Sequence, residues 1–139
     1  MESPPQVSPK VFNTEFVVRV SDINYGGHLG NDRVLSFFHE TRVRWLTQFS
    51  WSEADIAGVG IVQTEAHLRY RAQSFLGDLL SCRLNVAEIK SRGFTLSYTL
   101  KREKKSAIIA DGTTTLRFFD YKTQVIARTP ERFFEVMAE

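Results

Sequence analysis

The chain has 139 residues, which suits one domain built on one hydrophobic core. At 42% hydrophobic and 24% charged it has the balance of an ordinary globular protein, and a net charge of +2 gives no electrostatic case for nucleic acid. No apolar run approaches the ~18 residues of a membrane-spanning helix, and no Cys/His cluster has zinc-ligand spacing.

The first ten residues, MESPPQVSPK, hold three of the four prolines and no apolar run. They read as a loose arm over 1–10, not a signal peptide, with a single domain over 11–139. From Phe12 to Val20 the pattern alternates. Phe12, Phe16, Val18 and Val20 share one face, and Glu15 and Arg19 the other, as in a half-buried strand. The polar turn SDINYGGHLGND, Ser21 to Asp32, follows. The period then becomes helical. Val34, Leu35, Phe37, Phe38, Trp45, Leu46 and Phe49 fall on one arc, while Ser36, Glu40, Val43 and Thr47 fall opposite. Asn31 suits an N-cap and Asp32 the positive end of the helix dipole, so a helix is expected over about 32–49.

After a loop through Gly58 and Gly60, strand signals return. Val62, Ala66, Leu68 and Tyr70 alternate with polar residues, and Gly77-Asp78 makes a turn. Leu80, Cys82, Leu84 and Val86 share a face; Ser91-Arg92-Gly93 turns the chain into Phe94, Leu96, Tyr98 and Leu100. The run Arg102 to Lys105 reads as an exposed hairpin end. Ile108 to Phe118 is the last long strand. Thr129-Pro130-Glu131 resembles a cap, a first-turn proline and a first-turn acid opening a short helix. The lone Cys82 rules out an intramolecular disulfide and suits a reducing cytoplasm. A strand, a long helix, four strands with short turns and a short helix make an α+β domain with an antiparallel sheet. Its open edge strands favour self-association.

The turn Ser21-Asp22-Ile23-Asn24, Gly26-Gly27-His28 and Asn31, the helix segment Phe37-Phe38-His39-Glu40-Thr41-Arg42, and Gly77-Asp78 after Tyr70-Arg71-Ala72 together resemble the hotdog-fold thioesterases. The resemblance is to the 4-hydroxybenzoyl-CoA thioesterase-like branch and spans about residues 11–130. It implies a five-stranded antiparallel sheet wrapped around one long central helix. It also implies hydrolysis of an acyl thioester of coenzyme A or of an acyl carrier protein, a site shared between subunits of a homodimer or homotetramer, and no metal or other cofactor.

Thioester hydrolysis needs a stabilised carbonyl oxygen and a positioned water or carboxylate. Gly26 and Gly27, feeding a helix N-terminus, offer backbone N–H donors, or they simply permit a sharp turn. His28 is placed to donate to the thioester oxygen or to act as a base; its structural alternative is a capping histidine. Asn24 stands where many relatives carry the catalytic Asp. An amide cannot be a nucleophile or a base, so it orients water or substrate, and another acid must supply the base. Glu40 is the helix-borne candidate, unless it only pairs with Arg44. Asp22 is expected to anchor the turn and Asp32 to complement the dipole, and both are supporting candidates for the base. His39 and His67 read as structural. Lys90 and Arg92, flanking a turn where relatives place nucleotide contacts, are candidates for binding coenzyme A. Two alternatives remain: a non-catalytic acyl-CoA-binding hotdog protein, which Asn24 favours, and a hotdog enoyl-CoA hydratase, suggested by Asp22-x-Asn24 before a histidine.

Overall fold

The computed structural model describes residues 8–139. The elements run β1 (Val11–Val17), α1 (Asn31–Thr47), β2 (Gly60–Tyr70), β3 (Leu79–Lys90), β4 (Gly93–Arg102), β5 (Ile108–Asp120), β6 (Val125–Ile126) and α2 (Glu131–Met137). The sheet is antiparallel in the order β1-β3-β4-β5-β2, with the two-residue β6 added beside β5. The five expected strands are present; β6 is the addition, too short to leave a periodic signal. Of the expected arm, residues 1–7 lie outside the described part. Residues 8–10 are not loose, because the carbonyl of Pro9 accepts a hydrogen bond from Trp45 Nε1 at 2.8 Å.

The alternation seen from Phe12 onward ends earlier than expected. Val18 is buried, but Val20 is 73% exposed and opens a 3-10 turn over Val20–Asp22. That turn is set by Asp22, whose carboxylate accepts the backbone N–H of Arg19 at 2.9 Å. Helix α1 begins with Asn31 as its first residue, and its N-cap is Gly30, not Asn31. In α2, Pro130 is the N-cap, and the Thr129 hydroxyl donates to the carbonyl of Lys90 instead of capping.

Helix α1 lies on β1 and β3. Its apolar arc meets Leu80, Leu84, Phe94, Leu96 and Leu100, all nearly inaccessible. Phe38 stacks on Tyr98 with ring centroids 4.5 Å apart. Trp45, Phe94, Phe118 and Phe133 form a cluster at the C-terminal end of α1. Burying each such ring contributes about 1.5–3 kcal/mol.

One charge lies inside this core. Arg42, between Phe38 and Trp45, is 4% exposed. It donates to Glu53 at 2.9 Å, to Gln63 at 3.0 Å and to the Tyr98 hydroxyl at 3.2 Å, and Tyr98 is joined to Thr114 at 2.8 Å. The network ties α1 to the loop before β2 and to the strands β2, β4 and β5.

Strand β2 is a sheet edge. Ala66, Leu68 and Tyr70 sit opposite Thr114, Gly112 and Ala110, so they share the face that carries α1. Ala66 and Tyr70 are nevertheless exposed and Leu68 only partly buried. The helix of one chain does not cover this end of the sheet.

Candidate functional site

The turn between β1 and α1 is closed by Asn24. Its Oδ1 accepts the N–H of Gly26 at 2.9 Å and of His28 at 3.3 Å. The Asn24 backbone N–H donates to the His28 carbonyl at 2.8 Å and its carbonyl accepts from Gly27 at 3.0 Å. Both lone pairs of Oδ1 are thereby engaged, and Nδ2 is left as the free group of the side chain.

The glycines have separate jobs. Gly27 has φ of 77°, a left-handed conformation that favours glycine. At Gly26 an added Cβ would lie 2.8 Å from His28 Cδ2 and 3.0 Å from Nε2. Gly26 therefore makes room for the imidazole. The expectation that the two glycines supply free N–H donors is revised, because both N–H groups are already bonded to Asn24. The backbone N–H groups of Asn31 and Asp32, the first two residues of α1, are free at the positive end of its dipole.

A cleft of about 290 Å³ opens beside this turn, lined by Asn24, His28, Asn31, Tyr70, Arg71 and Gln73 among others. The loop after β2 forms its other wall. Leu29 donates to the Ser74 carbonyl at 2.7 Å, and the rings of His28 and Phe75 lie 5.4 Å apart. His28 Nδ1 is buried without a partner, whereas Nε2 makes no hydrogen bond and is not buried. A buried N–H without an acceptor is the costlier arrangement. The favoured tautomer carries its proton on Nε2, which makes His28 a donor into the cleft.

The acids are placed elsewhere. Asp22 is fully buried and ion-paired with Arg19 and Arg33. Burial alone would raise its carboxyl pKa, but the Arg19 N–H and the two guanidinium groups outweigh that and hold it below its usual value. It is the anchor of the turn. Asp32 lies exposed in the first turn of α1. Glu40 pairs with Arg44 at 3.1 Å, and Arg44 reaches Thr14 and the carbonyl of Glu15 on β1. None of the three lines the cleft. His39 pairs with Glu53, and His67 lies 3.8 Å from Glu65. Lys90 and Arg92 sit at the opposite end of the twelve-residue β3, about 36 Å of strand from Leu79. Within one chain they do not meet the cleft.

A larger cavity, about 720 Å³, lies at the other end of α1 and is lined by Phe12, Phe49, Trp51, Arg132 and Val136 among others. It has no histidine. Asn31 lines the smaller cleft, whereas the sequence pointed to it only as a helix cap and as part of the turn motif. The signal was its place one turn after His28, at the start of the helical period.

The sequence profile of the thioesterase-like superfamily matches residues 18–137, which spans the turn, α1, all of β2 to β6 and α2. The chain belongs to the thioesterase-like superfamily. Among its relatives is the long-chain acyl-CoA thioesterase FadM of Escherichia coli strain K12, 27% identical over 114 residues, covering 80% of this chain and 85% of that one. Two solved structures share the fold. One is Slr0204, a 1,4-dihydroxy-2-naphthoyl-CoA thioesterase from Synechocystis, with a TM-score of 0.84 at 18% identity over 93% of this chain and 96% of that one. The other is SAV2348 from Staphylococcus aureus, solved in complex with CoA, with a TM-score of 0.84 at 18% identity over 98% of this chain and 86% of that one. The expected hotdog fold and thioesterase family are borne out, and the named relatives agree with the expected class of thioester hydrolase.

Proposed function

We propose that the protein hydrolyses acyl-CoA thioesters at a site that one chain supplies only in part. The observation that carries this reading is the convergence of donors. Asn24, His28 and Asn31 line one cleft, and each has an unbonded donor to offer there: Asn24 Nδ2, His28 Nε2–H and the Asn31 backbone N–H. Such a set stabilises negative charge on a carbonyl oxygen. Water then adds to the carbonyl carbon, the C–S bond breaks, and the departing thiolate takes up the proton that the water loses.

That proton needs an acceptor on the way, and no carboxylate lines the cleft among the described residues. The acceptor comes from a second copy of the chain across the open β2 edge. Homo-oligomerisation is thus part of the mechanism, and light scattering returning only a 15.9 kDa monomer would count against it. Lys90 and Arg92 are proposed to reach the coenzyme A phosphates of the partner's site, not of their own. A cytoplasmic location fits the one buried cysteine.

A second reading, acyl-CoA binding without turnover, is favoured by the same missing acceptor. A chromogenic thiol-release screen across acyl-CoAs of different lengths and ring contents separates the two. Turnover supports hydrolysis, and saturable binding without thiol release supports the accessory role. Hydration of a 2-enoyl-CoA would instead support the hydratase alternative. Cys82 does not disturb such an assay, because it is fully buried; that burial also pushes its thiol up to about 12 despite the Thr41 hydroxyl.

A further inference from the structure

Among the described residues, five of the twelve large exposed apolar side chains gather at one end of the sheet. On the outer face of the sheet Val17 and Leu79 are paired across β1 and β3. Beside them lie Val20 in the 3-10 turn and Leu76 in the loop before β3. That loop is bonded to Val18 through Gly77 N–H and Asp78 carbonyl, at 2.9 and 3.0 Å. These four side chains are 41 to 73% exposed. Ile108, one strand beyond Lys101, extends the patch at 43%.

Cations surround it. Lys101, Lys104 and Lys105 are exposed, and Arg19 projects from the 3-10 turn. The hairpin end that carries the lysines is fixed to the patch, since Glu103 N–H donates to the Leu79 carbonyl at 3.0 Å. Arg102 donates to the carbonyl of Gln73 at 3.0 Å, and Gln73 lines the cleft. The nearby acids are fewer. Asp78 keeps its charge while accepting from the Ser74 hydroxyl and the Phe75 N–H, and the buried Asp22 is paired with Arg19 and Arg33, so Glu15, Asp78 and Glu103 stand against Lys101, Arg102, Lys104, Lys105 and the second guanidinium at Asp22.

We infer that this surface docks the protein on an anionic lipid membrane. Aliphatic side chains rimmed by lysine and arginine match the boundary between headgroups and acyl chains. A second copy is the poorer occupant, because a two-fold interface sets a patch against itself and this one would bring like charges together. An acidic carrier protein is poorer too. Neither of the clefts described above is lined by these side chains, and an aliphatic patch without a cleft suits a fluid surface better than a shaped partner. Docked in this way, the protein has the rim of its cleft at Gln73 beside the lipid.

Co-sedimentation with vesicles tests this. Wild-type protein should partition onto phosphatidylcholine vesicles containing phosphatidylglycerol, far less onto phosphatidylcholine alone, and less as salt is raised. Val20→Asp with Leu76→Asp should reduce partitioning at least tenfold with the thermal midpoint kept. Lys104→Gln and Lys105→Gln should each weaken it by about fivefold. Wild-type protein that stays in the supernatant with anionic vesicles overturns the inference. So does a Val20→Asp/Leu76→Asp variant that binds as well as wild type, or one whose mass by light scattering falls, which would make the patch an interface between copies.

Discussion

Asn24 holds its loop with one atom and faces the cleft with another. Removing the side chain should therefore do two things. Asn24→Ala frees the N–H groups of Gly26 and His28 and should lose most of the activity. Asn24→Asp keeps an acceptor at the same place. Two N–H donors and the nearby helix N-terminus favour its anion. It also supplies within one chain the proton acceptor that the cleft lacks, so the variant should keep at least part of wild-type kcat. An inactive Asn24→Asp beside an active Asn24→Ala would contradict the donor role. Gly26→Ala presses a Cβ against the imidazole and should lower kcat while the urea midpoint stays near wild type. Glu40→Gln should leave kcat unchanged and cost about 0.3–0.5 kcal/mol, the worth of an exposed helix pair. If it abolishes turnover, Glu40 of a second copy is the acceptor.

At the scale of elements, α1 was legible because its apolar residues recur at the helical period over four turns, and β3 to β5 because their alternation is bounded by clear turns. Arg42 was not. Its position, four residues from Phe38 and three from Trp45, puts it on the apolar arc, and a charge there predicts a buried partner. The partners come from Glu53, Gln63 and Tyr98, distant in sequence, so no local pattern names them. The cleft was half legible. His28 and Asn24 stand out in the turn, but the free N–H of Asn31 depends on which carbonyls the preceding residues meet, and that is a property of the closed loop. Arg42→Met should cost about 3 kcal/mol, since it leaves Glu53 without its guanidinium and the Tyr98 hydroxyl with one partner fewer. Tyr98→Phe should cost about 1 kcal/mol. Urea denaturation checks both, and a change under about 0.5 kcal/mol for Arg42→Met would mean that the network contributes little.

For the whole molecule, three carboxylates link stability to pH: Glu53, Asp22 and the exposed Asp120, which is held down by the backbone N–H groups of Lys122 and Thr123. Glu53 is pushed up by burial but pulled down further by Arg42 and His39, so its pKa, like that of Asp22, is lowered on folding. A lowered folded-state pKa gives stability that is complete above the unfolded value and lost as pH falls through the folded one. The ordinary values are 4.5 for Glu53 and 3.8 for Asp22, so the thermal midpoint should hold down to that region and fall below it. In the Glu53→Gln variant part of that acid dependence should be missing. On the proposed function the site is also a property of the whole molecule, one chain bringing the donors and a second completing them. That claim rests first on His28 as a donor to the thioester oxygen. The measurement that tests it most directly is kcat for thiol release from an acyl-CoA by wild-type protein and by His28→Ala of equal thermal midpoint. Loss of one such donor lowers kcat by about tenfold or more, and that is the expected result. A folded His28→Ala with wild-type kcat, or wild-type protein that binds acyl-CoA and releases no thiol, would contradict it.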